Sequence, residues 1–251
     1  MTSTFKAAVK AIAPAPLRDL WKKFRLGIEE KRIEGHSLDE IFAETYAKRK
    51  WGASEGQSPF FSGVGSLPDA TAEYEAFLAS YIERHPEIET LVDVGCGDFQ
   101  VGRRLLARLS RPITYIGCDI AKNVVAYNTQ AFARPGVSFM ALDITRERPP
   151  AGDLVTVREV LQHLSNADIH KALANLSQRF ARAAITEAIF IEPSAPNLDM
   201  MSGHWTRDRQ RSGVYLDLPP FNLTVLEESR KDYESGEAYR TTVVALPGPR
   251  T

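Results

Sequence analysis

The chain has 251 residues, 43% of them hydrophobic and 25% charged, and a formal net charge of −1. That length suits one large domain or a domain with an extension, and the balanced charge removes any general pull toward nucleic acid. Only two cysteines are present, Cys96 and Cys118, so a disulfide framework is excluded, no zinc-like or other metal spacing exists, and a reducing cytoplasm fits.

No apolar run approaches the ~20 residues that span a bilayer. Pro14 and Pro16 interrupt the N-terminus, which therefore lacks an apolar signal core. Lys6, Lys10, Arg18, Lys22, Lys23, Arg25, Lys31 and Arg32 alternate there with Phe5, Val9, Ile12, Leu17, Leu20, Trp21, Phe24 and Leu26. Leu17, Leu20, Trp21 and Phe24 fall at helical spacing. Such a basic amphipathic helix suits an anionic membrane surface, and equally a helix packed on its own domain or on a second copy of the chain. The expected location is cytoplasmic, with the inner face of the membrane as the alternative that this helix raises.

Ser37-Leu38-Asp39-Glu40 reads as a capping box for a helix to about Lys50, with Leu38, Ile41, Phe42 and Tyr46 on its apolar face. Trp51-Gly52 and a loop holding Ser62-Gly63-Val64-Gly65-Ser66 follow. A helix from about Asp69 to Arg84 buries Tyr74, Phe77, Leu78, Tyr81 and Ile82.

From residue 90 the rhythm is strand, helix, strand. Strands are predicted at Thr90–Val94, Ile113–Cys118, Val137–Ala141, Leu154–Val157 and Ala183–Glu187, with helices near 100–109, 122–133 and 166–180, the last capped by Ser165. This alternation predicts a parallel sheet with right-handed crossovers. Leu223–Glu228 and Ala238–Leu246 then predict a hairpin that closes the sheet with a mixed edge.

The first strand runs into Asp93-Val94-Gly95-Cys96-Gly97. A strand that stops at a glycine turn before a helix is where α/β sheets hold nucleotide-like ligands. Gly95 and Gly97 remove Cβ atoms that would block a ligand from the backbone, and the following helix turns its N-terminus toward it. The third glycine of a dinucleotide turn is missing, because position 100 is Gln. Asp119, at the tip of the second strand, follows Gly97 by about 20 residues, the spacing of a ribose-binding acid; it also suits the cap of a helix beginning near Lys122. Asp143 at the third strand tip could bond an adenine amino group while Ile144 packs on the ring, or serve as a turn aspartate.

The fourth strand leads into Arg158-Glu159-Val160-Leu161-Gln162-His163-Leu164-Ser165. As a short helix this segment would put Glu159, Gln162 and His163 on one face, in the ligand crevice. His163 titrates near neutrality when unperturbed and suits general-base work; a hydrogen bond to a loop is the alternative.

With Asp93–Gly97, Asp119, Asp143 and Arg158–Ser165 in this order, the chain resembles class I S-adenosylmethionine (SAM)-dependent methyltransferases over roughly residues 90–190 and the terminal hairpin. The resemblance implies an α/β fold: a seven-stranded, mostly parallel, doubly wound sheet of the methyltransferase-type Rossmann-like kind. Here it carries a helical N-terminal extension or lid at 1–67, and the SAM-dependent domain at 68–251. It implies SAM as cofactor, with Asp93, Gly95, Cys96 and Gly97 around the methionine part, Asp119 and Ile120 at the ribose, Asp143 and Ile144 at the adenine, and Arg158 also lining the cofactor site. His163 and Glu159 are the catalytic candidates.

A narrower resemblance is to bacterial methyltransferase-like proteins that carry Trp-Gly, Ser-Gly-x-Gly-Ser, Cys-Gly-Asp-Phe, Arg-Asp-x-Leu-x-His-Leu-Ser and Pro-Pro-Phe-Asn. This chain has Trp51-Gly52, Ser62–Ser66, Cys96–Phe99, Arg158–Ser165 and Pro219–Asn222. It departs at Glu159, where that group tends to have Asp, and near Gly203-His204-Trp205, where a longer charged run replaces a short link.

The segment 188–220 is too long for a plain connector. It and the Trp51–Ser66 loop are expected to be substrate-selecting lids, with Trp51, Ser62, Gln162, His204 and Trp205 at the acceptor; a plain surface excursion is the alternative. Arg207, Arg209 and Arg211 would suit an anionic acceptor, and a charged surface loop explains them equally. The expected reaction is methyl transfer to a small-molecule or glycan acceptor at a hydroxyl oxygen. A nicotinamide-dependent oxidoreductase and a non-catalytic SAM-binding scaffold are the competing readings.

Overall fold

The computed structural model describes residues 31, 33–53 and 58–248. The chain divides into two compact units, Met1–Ser37 and Leu38–Thr251. Of the first, only 31 and 33–37 are described, so the basic amphipathic stretch lies, apart from Lys31, outside the described residues. Among the described residues no helix is long and apolar enough to cross a membrane.

Seven strands form one sheet: β1 Thr90–Val94, β2 Thr114–Asp119, β3 Val137–Ala141, β4 Leu154–Arg158, β5 Arg182–Phe190, β6 Thr224–Asp232 and β7 Glu237–Ala245. Their order is β3-β2-β1-β4-β5-β7-β6. The first five are mutually parallel, and β7 runs antiparallel between β5 and β6. Helices among the described residues from 38 onward accompany them: α1 Leu38–Ala47, α2 Pro68–Arg84, α3 Gln100–Arg108, α4 Lys122–Phe132 and α5 Asn166–Ser177. This is the seven-stranded mixed sheet of the methyltransferase-type Rossmann-like fold.

The strand faces alternate as the pleat requires. Leu91, Leu154 and Ala184 pack with Leu78, Ile82 and Leu105 of α2 and α3 on one face. Val92, Val155 and Ile185 pack with Ile169, Leu173 and Leu176 of α5 on the other. Helices therefore cover both faces, and the central parallel strands β1, β4 and β5 are mostly buried, whereas the edge strand β3 is largely exposed. Ser165 caps α5 as its sequence predicts, its Oγ accepting from Asp168 N at 3.1 Å. Strand β6 runs four residues past the predicted end at Glu228. Its exposure alternates along its length, as an outer strand with charged residues permits, and a bulge falls between Val225 and Glu227.

One buried carboxylate joins α2 to α3. Glu75 Oε1 accepts from Thr71 Oγ1 and Arg104 Nε, both at 2.7 Å, and Oε2 from Arg108 Nε at 3.0 Å. Arg104 reaches on to the Ser66 carbonyl at 2.7 Å, so the same group holds the Ser62–Ser66 loop. Glu75→Ala should lower unfolding free energy by about 2–4 kcal/mol in urea titrations, because two guanidinium groups lose a partner that is itself out of water. A loss below about 0.5 kcal/mol would show the network to be slack.

Candidate functional site

A cavity of about 660 Å³ opens at the carboxyl ends of β1, β2 and β4. That volume falls within the ~300–1,000 Å³ typical of small-molecule sites, at the place where open α/β sheets bind ligands. Its floor is the glycine turn after β1. Gly95 N and Cys96 N both donate to the Cys118 carbonyl, at 2.7 and 3.0 Å. Gly97 N donates to Asp119 Oδ2 at 2.9 Å, and Asn128 Nδ2 donates to the Gly97 carbonyl at 2.7 Å.

Gly95 and Gly97 have φ 82° and 52°, so both lie in the left-handed region. The space beside them is not left to a ligand alone, as the sequence suggested. A Cβ on Gly95 would stand 2.1 Å from Val160 Cγ2, and one on Gly97 2.3 Å from Ser62 Oγ. Protein side chains fill the notch. Ser62 Oγ accepts from Asp98 N at 2.9 Å and lies 3.1 Å from Tyr46 OH, so Ser62 secures the turn to its loop and to α1. Asp98 in turn accepts from Gln100 N at 3.3 Å, at the start of α3. A buried acid stands where a helix N-terminus would otherwise take an anion, which disfavours a pyrophosphate there.

Asp119 is the pivot of the crevice. Besides Gly97 N, it accepts from Ala121 N at 2.9 Å through Oδ1. Burial pushes its carboxyl up to about 6 against the pull of those two amides. Each oxygen keeps a second lone pair for a ligand hydroxyl. Asp93, one strand over, accepts from Tyr115 OH at 2.5 Å and Thr156 Oγ1 at 2.9 Å, and burial raises it too. Asp143 Oδ1 accepts from Thr145 N and Oγ1 at 2.9 and 2.6 Å. It is thus a turn aspartate that also lines the cavity, with Ile144 and Ile120 beside it.

After β4 the segment does not form the short helix that would have aligned Glu159, Gln162 and His163. Glu159 takes φ 58°, and only Leu161–His163 make a 3-10 turn. Glu159, Gln162 and His163 all line the cavity, but as members of a strained corner rather than of one helical face. Arg158 lies between the Tyr74 and Tyr239 rings, 5.4 Å from each centroid, and donates to the Gly65 carbonyl at 2.8 Å. Its Nε and Glu159 Oε1 are both buried with no hydrogen-bond partner. Behind this corner Glu187 is 2% exposed and accepts from the Leu161 and Gln162 amides at 2.8 and 3.0 Å.

His163 Nδ1 lies 2.8 Å from the Trp205 carbonyl, which only accepts, so Nδ1 carries the proton and Nε2 holds a lone pair. Its ring sits against Trp51 and Phe42, at 5.4 and 5.7 Å between centroids. Burial lowers its pKa to about 4, far from the near-neutral value its sequence context suggested, and the ring is uncharged at pH 7.

Of the predicted acceptor residues, Trp51, Ser62 and Gln162 line the cavity. His204 and Trp205 do not; they frame it through their carbonyls, one accepting from Trp51 Nε1 at 3.4 Å and the other from His163. Of the lid arginines, Arg207 lines the cavity but is tied to the backbone, and Arg209 is exposed. Arg207 is 1% exposed and donates to the Leu198 and Leu164 carbonyls, while Arg211 stacks on Phe190 at 5.2 Å. Sequence reading missed Tyr74 and Tyr239. Tyr74 looked like core, and Tyr239 arrives from the hairpin far along the chain.

Residues 92–185 match the family described as a methyltransferase domain. No curated protein matches the sequence. Among solved structures, the magnesium protoporphyrin IX methyltransferase ChlM of Synechocystis PCC 6803, with bound S-adenosylhomocysteine (SAH), is 13% identical; the match covers 83% of this chain and 98% of that one, with TM-score 0.53. A SAM-dependent methyltransferase of Clostridium acetobutylicum ATCC 824 is 14% identical over 73% and 96%, with TM-score 0.51. The [4+2]-cyclase SpnF is 12% identical over 84% and 94%, with TM-score 0.50. The fold is that of class I SAM-dependent methyltransferases, and SAM is the cofactor that a methyltransferase domain implies.

Gly97→Ala should weaken SAH binding at least about tenfold and destabilise the fold by about 2 kcal/mol, since the added Cβ meets Ser62 and the left-handed backbone penalises it. Unchanged affinity and melting temperature in calorimetry would mean that the turn is not the ligand floor.

Proposed function

We propose that the protein transfers a methyl group from SAM to a hydroxyl oxygen of a small uncharged acceptor, a sugar or glycan hydroxyl being the class that fits best. The observation that carries this is the fixed Asp119 carboxylate beside the glycine turn, with lone pairs left for two ribose hydroxyls. Asp143 and Ile144 would flank the adenine, and Ile120 the ribose. Asp93, Gly95, Cys96 and Gly97 would shape the wall along the methionine arm. The two orphaned atoms at the end of β4 match that arm in sign: Arg158 Nε is a donor for its carboxylate, and Glu159 Oε1 an acceptor for its cationic end.

When bound, SAM supplies an electrophilic methyl carbon on a positively charged sulfur. The chain's own task is alignment and proton removal. Trp51 and Gln162 position the acceptor, and His204 and Trp205 hold the wall behind them. His163 Nε2 receives the hydroxyl proton, its tautomer set by the Trp205 carbonyl. An anionic acceptor is disfavoured because Arg207 is spent on backbone carbonyls and Arg209 is exposed.

Fold likeness does not fix the reaction, as the similar fold of the [4+2]-cyclase SpnF illustrates. Incubation with methyl-labelled SAM and pools of neutral monosaccharides and oligosaccharides tests the reading directly. The expected product carries label that survives mild alkali, as a methyl ether does. Alkali-labile label would mark a carboxyl acceptor. SAH binding with no transfer to any pool would favour a non-catalytic binding protein.

The lowered His163 pKa also sets the pH profile. A base must be unprotonated, so the acidic limb of kcat should fall near pH 4 rather than 6.5. His163→Ala should cut kcat about 10²–10⁴-fold with little change in SAH affinity. A limb near 6.5, or undiminished turnover in the variant, would remove His163 from the proton path.

A further inference from the structure

Arg158 carries a charge that it cannot shed. A buried acid can take up a proton, but a guanidinium stays charged and needs an anion where water is excluded. Arg158 ends β4 and lines the cavity. Its Nη2 donates to the Gly65 carbonyl at 2.8 Å, and its Nε is buried without a partner. Among the described residues no carboxylate is ion-paired with it. Of the acids around it, Asp93 is bonded to Tyr115 and Thr156.

Three elements hold this guanidinium in place. Tyr74 from α2 and Tyr239 from β7 each set a ring centroid 5.4 Å from Arg158 Cζ. Rings so placed attract the cation and leave its N–H groups to bond in their own plane. Gly65, from the Ser62–Ser66 loop, is pressed onto the same corner. A Cβ there would stand 3.0 Å from Tyr239 OH and 2.9 Å from Glu159 Oε2. The loop carbonyl takes Nη2, and Nε has no partner from the chain itself.

The sheet sets the distance from this donor to the rest of a ligand. Strands β2, β1 and β4 are neighbours in that order. Strands lie about 4.8 Å apart, so the ends of β2 and β4 stand about 10 Å from each other. A ligand with its ribose at Asp119 and an extended homocysteine arm across β1 brings its carboxylate to the end of β4, beside Arg158.

We propose that Tyr74 and Tyr239 are positioning residues that hold Arg158 as a clamp for the amino-acid carboxylate of the cofactor. The hairpin thereby takes part in choosing a ligand with a complete amino-acid arm. This rests on the reading of the crevice as a SAM site and deepens it. No covalent bond changes. SAM and SAH carry the same carboxylate and meet the clamp alike. Decarboxylated SAH keeps the adenine, ribose, sulfur and amine and lacks only the group that the clamp holds. The rings hold the guanidinium, not the hydroxyls, so phenylalanine should replace Tyr239 and leucine should not.

Calorimetric titration of the full chain with SAH and with decarboxylated SAH tests the clamp. The unaltered chain should prefer SAH by about a hundredfold. Tyr239→Leu should weaken SAH about tenfold and leave decarboxylated SAH unchanged, while Tyr239→Phe keeps the SAH affinity. Tyr74→Leu asks the same question from α2. Where neither leucine variant folds, the unaltered chain still decides: equal affinity for the two ligands would overturn the clamp and leave the crevice a nucleoside site. Leucine variants that weaken both ligands alike, or neither, would overturn the positioning role, as would a phenylalanine variant as weak as leucine. Failure of both ligands to bind would overturn the cofactor reading itself, and the clamp with it.

Discussion

The crevice depends on one carboxylate reached by two backbone amides. Asp119 draws Gly97 N from the turn after β1 and Ala121 N from the turn after β2, so one side chain clamps the ends of adjacent strands. The arrangement is costly in isolation, since the acid is buried and its pKa rises to about 6. Two amide donors offset part of that cost and keep the carboxylate oriented. On its other side the turn is gripped by Ser62, which in turn meets Tyr46 of α1. A rigid floor thus extends from α1 through the glycine turn to β2, and the remaining walls are built against it.

Those walls share an electrostatic theme. Acids face the cavity from the ends of β1, β2 and β4, while the two arginines that line it are tied to carbonyls and aromatic rings. The site is therefore prepared for a ligand that is cationic in one place and hydroxyl-bearing in another. The histidine that closes it, pressed against Trp51 and Phe42, stays neutral and donates inward to the Trp205 carbonyl. Through that bond and the contact of Trp51 with the His204 carbonyl, the long segment after β5 is joined to the site by backbone atoms rather than by the side chains that drew notice in the sequence.

Much of the fold was legible because parallel strands buried on both faces leave continuous apolar runs, and because the glycine turn and the strand-tip acids recur at fixed offsets. Asp119 and the glycines could be placed for that reason. The outer strand β6 was cut short because its charged second half has no apolar signal, although pairing with β7 continues to Asp232. The corner at Glu159 was not legible, because periodicity cannot reveal a non-glycine residue in the left-handed region. Tyr239 was invisible as a site residue, since only the register of β5 with β7, set across some fifty residues of chain, brings the hairpin beside the end of β4. The arginines of the long segment showed the reverse error: a charge run that looks displayed in sequence proved partly buried, with Arg207 used as an internal clamp.

Direct titration of the purified chain with SAH, with NADH as the contrasting dinucleotide, tests the central claim that this crevice is a SAM site pivoted on Asp119. The account predicts a single saturable SAH site, no NADH binding, and loss of the SAH signal in a folded Asp119→Asn variant. Binding of NADH in place of SAH, or SAH affinity undiminished by Asp119→Asn, would contradict it.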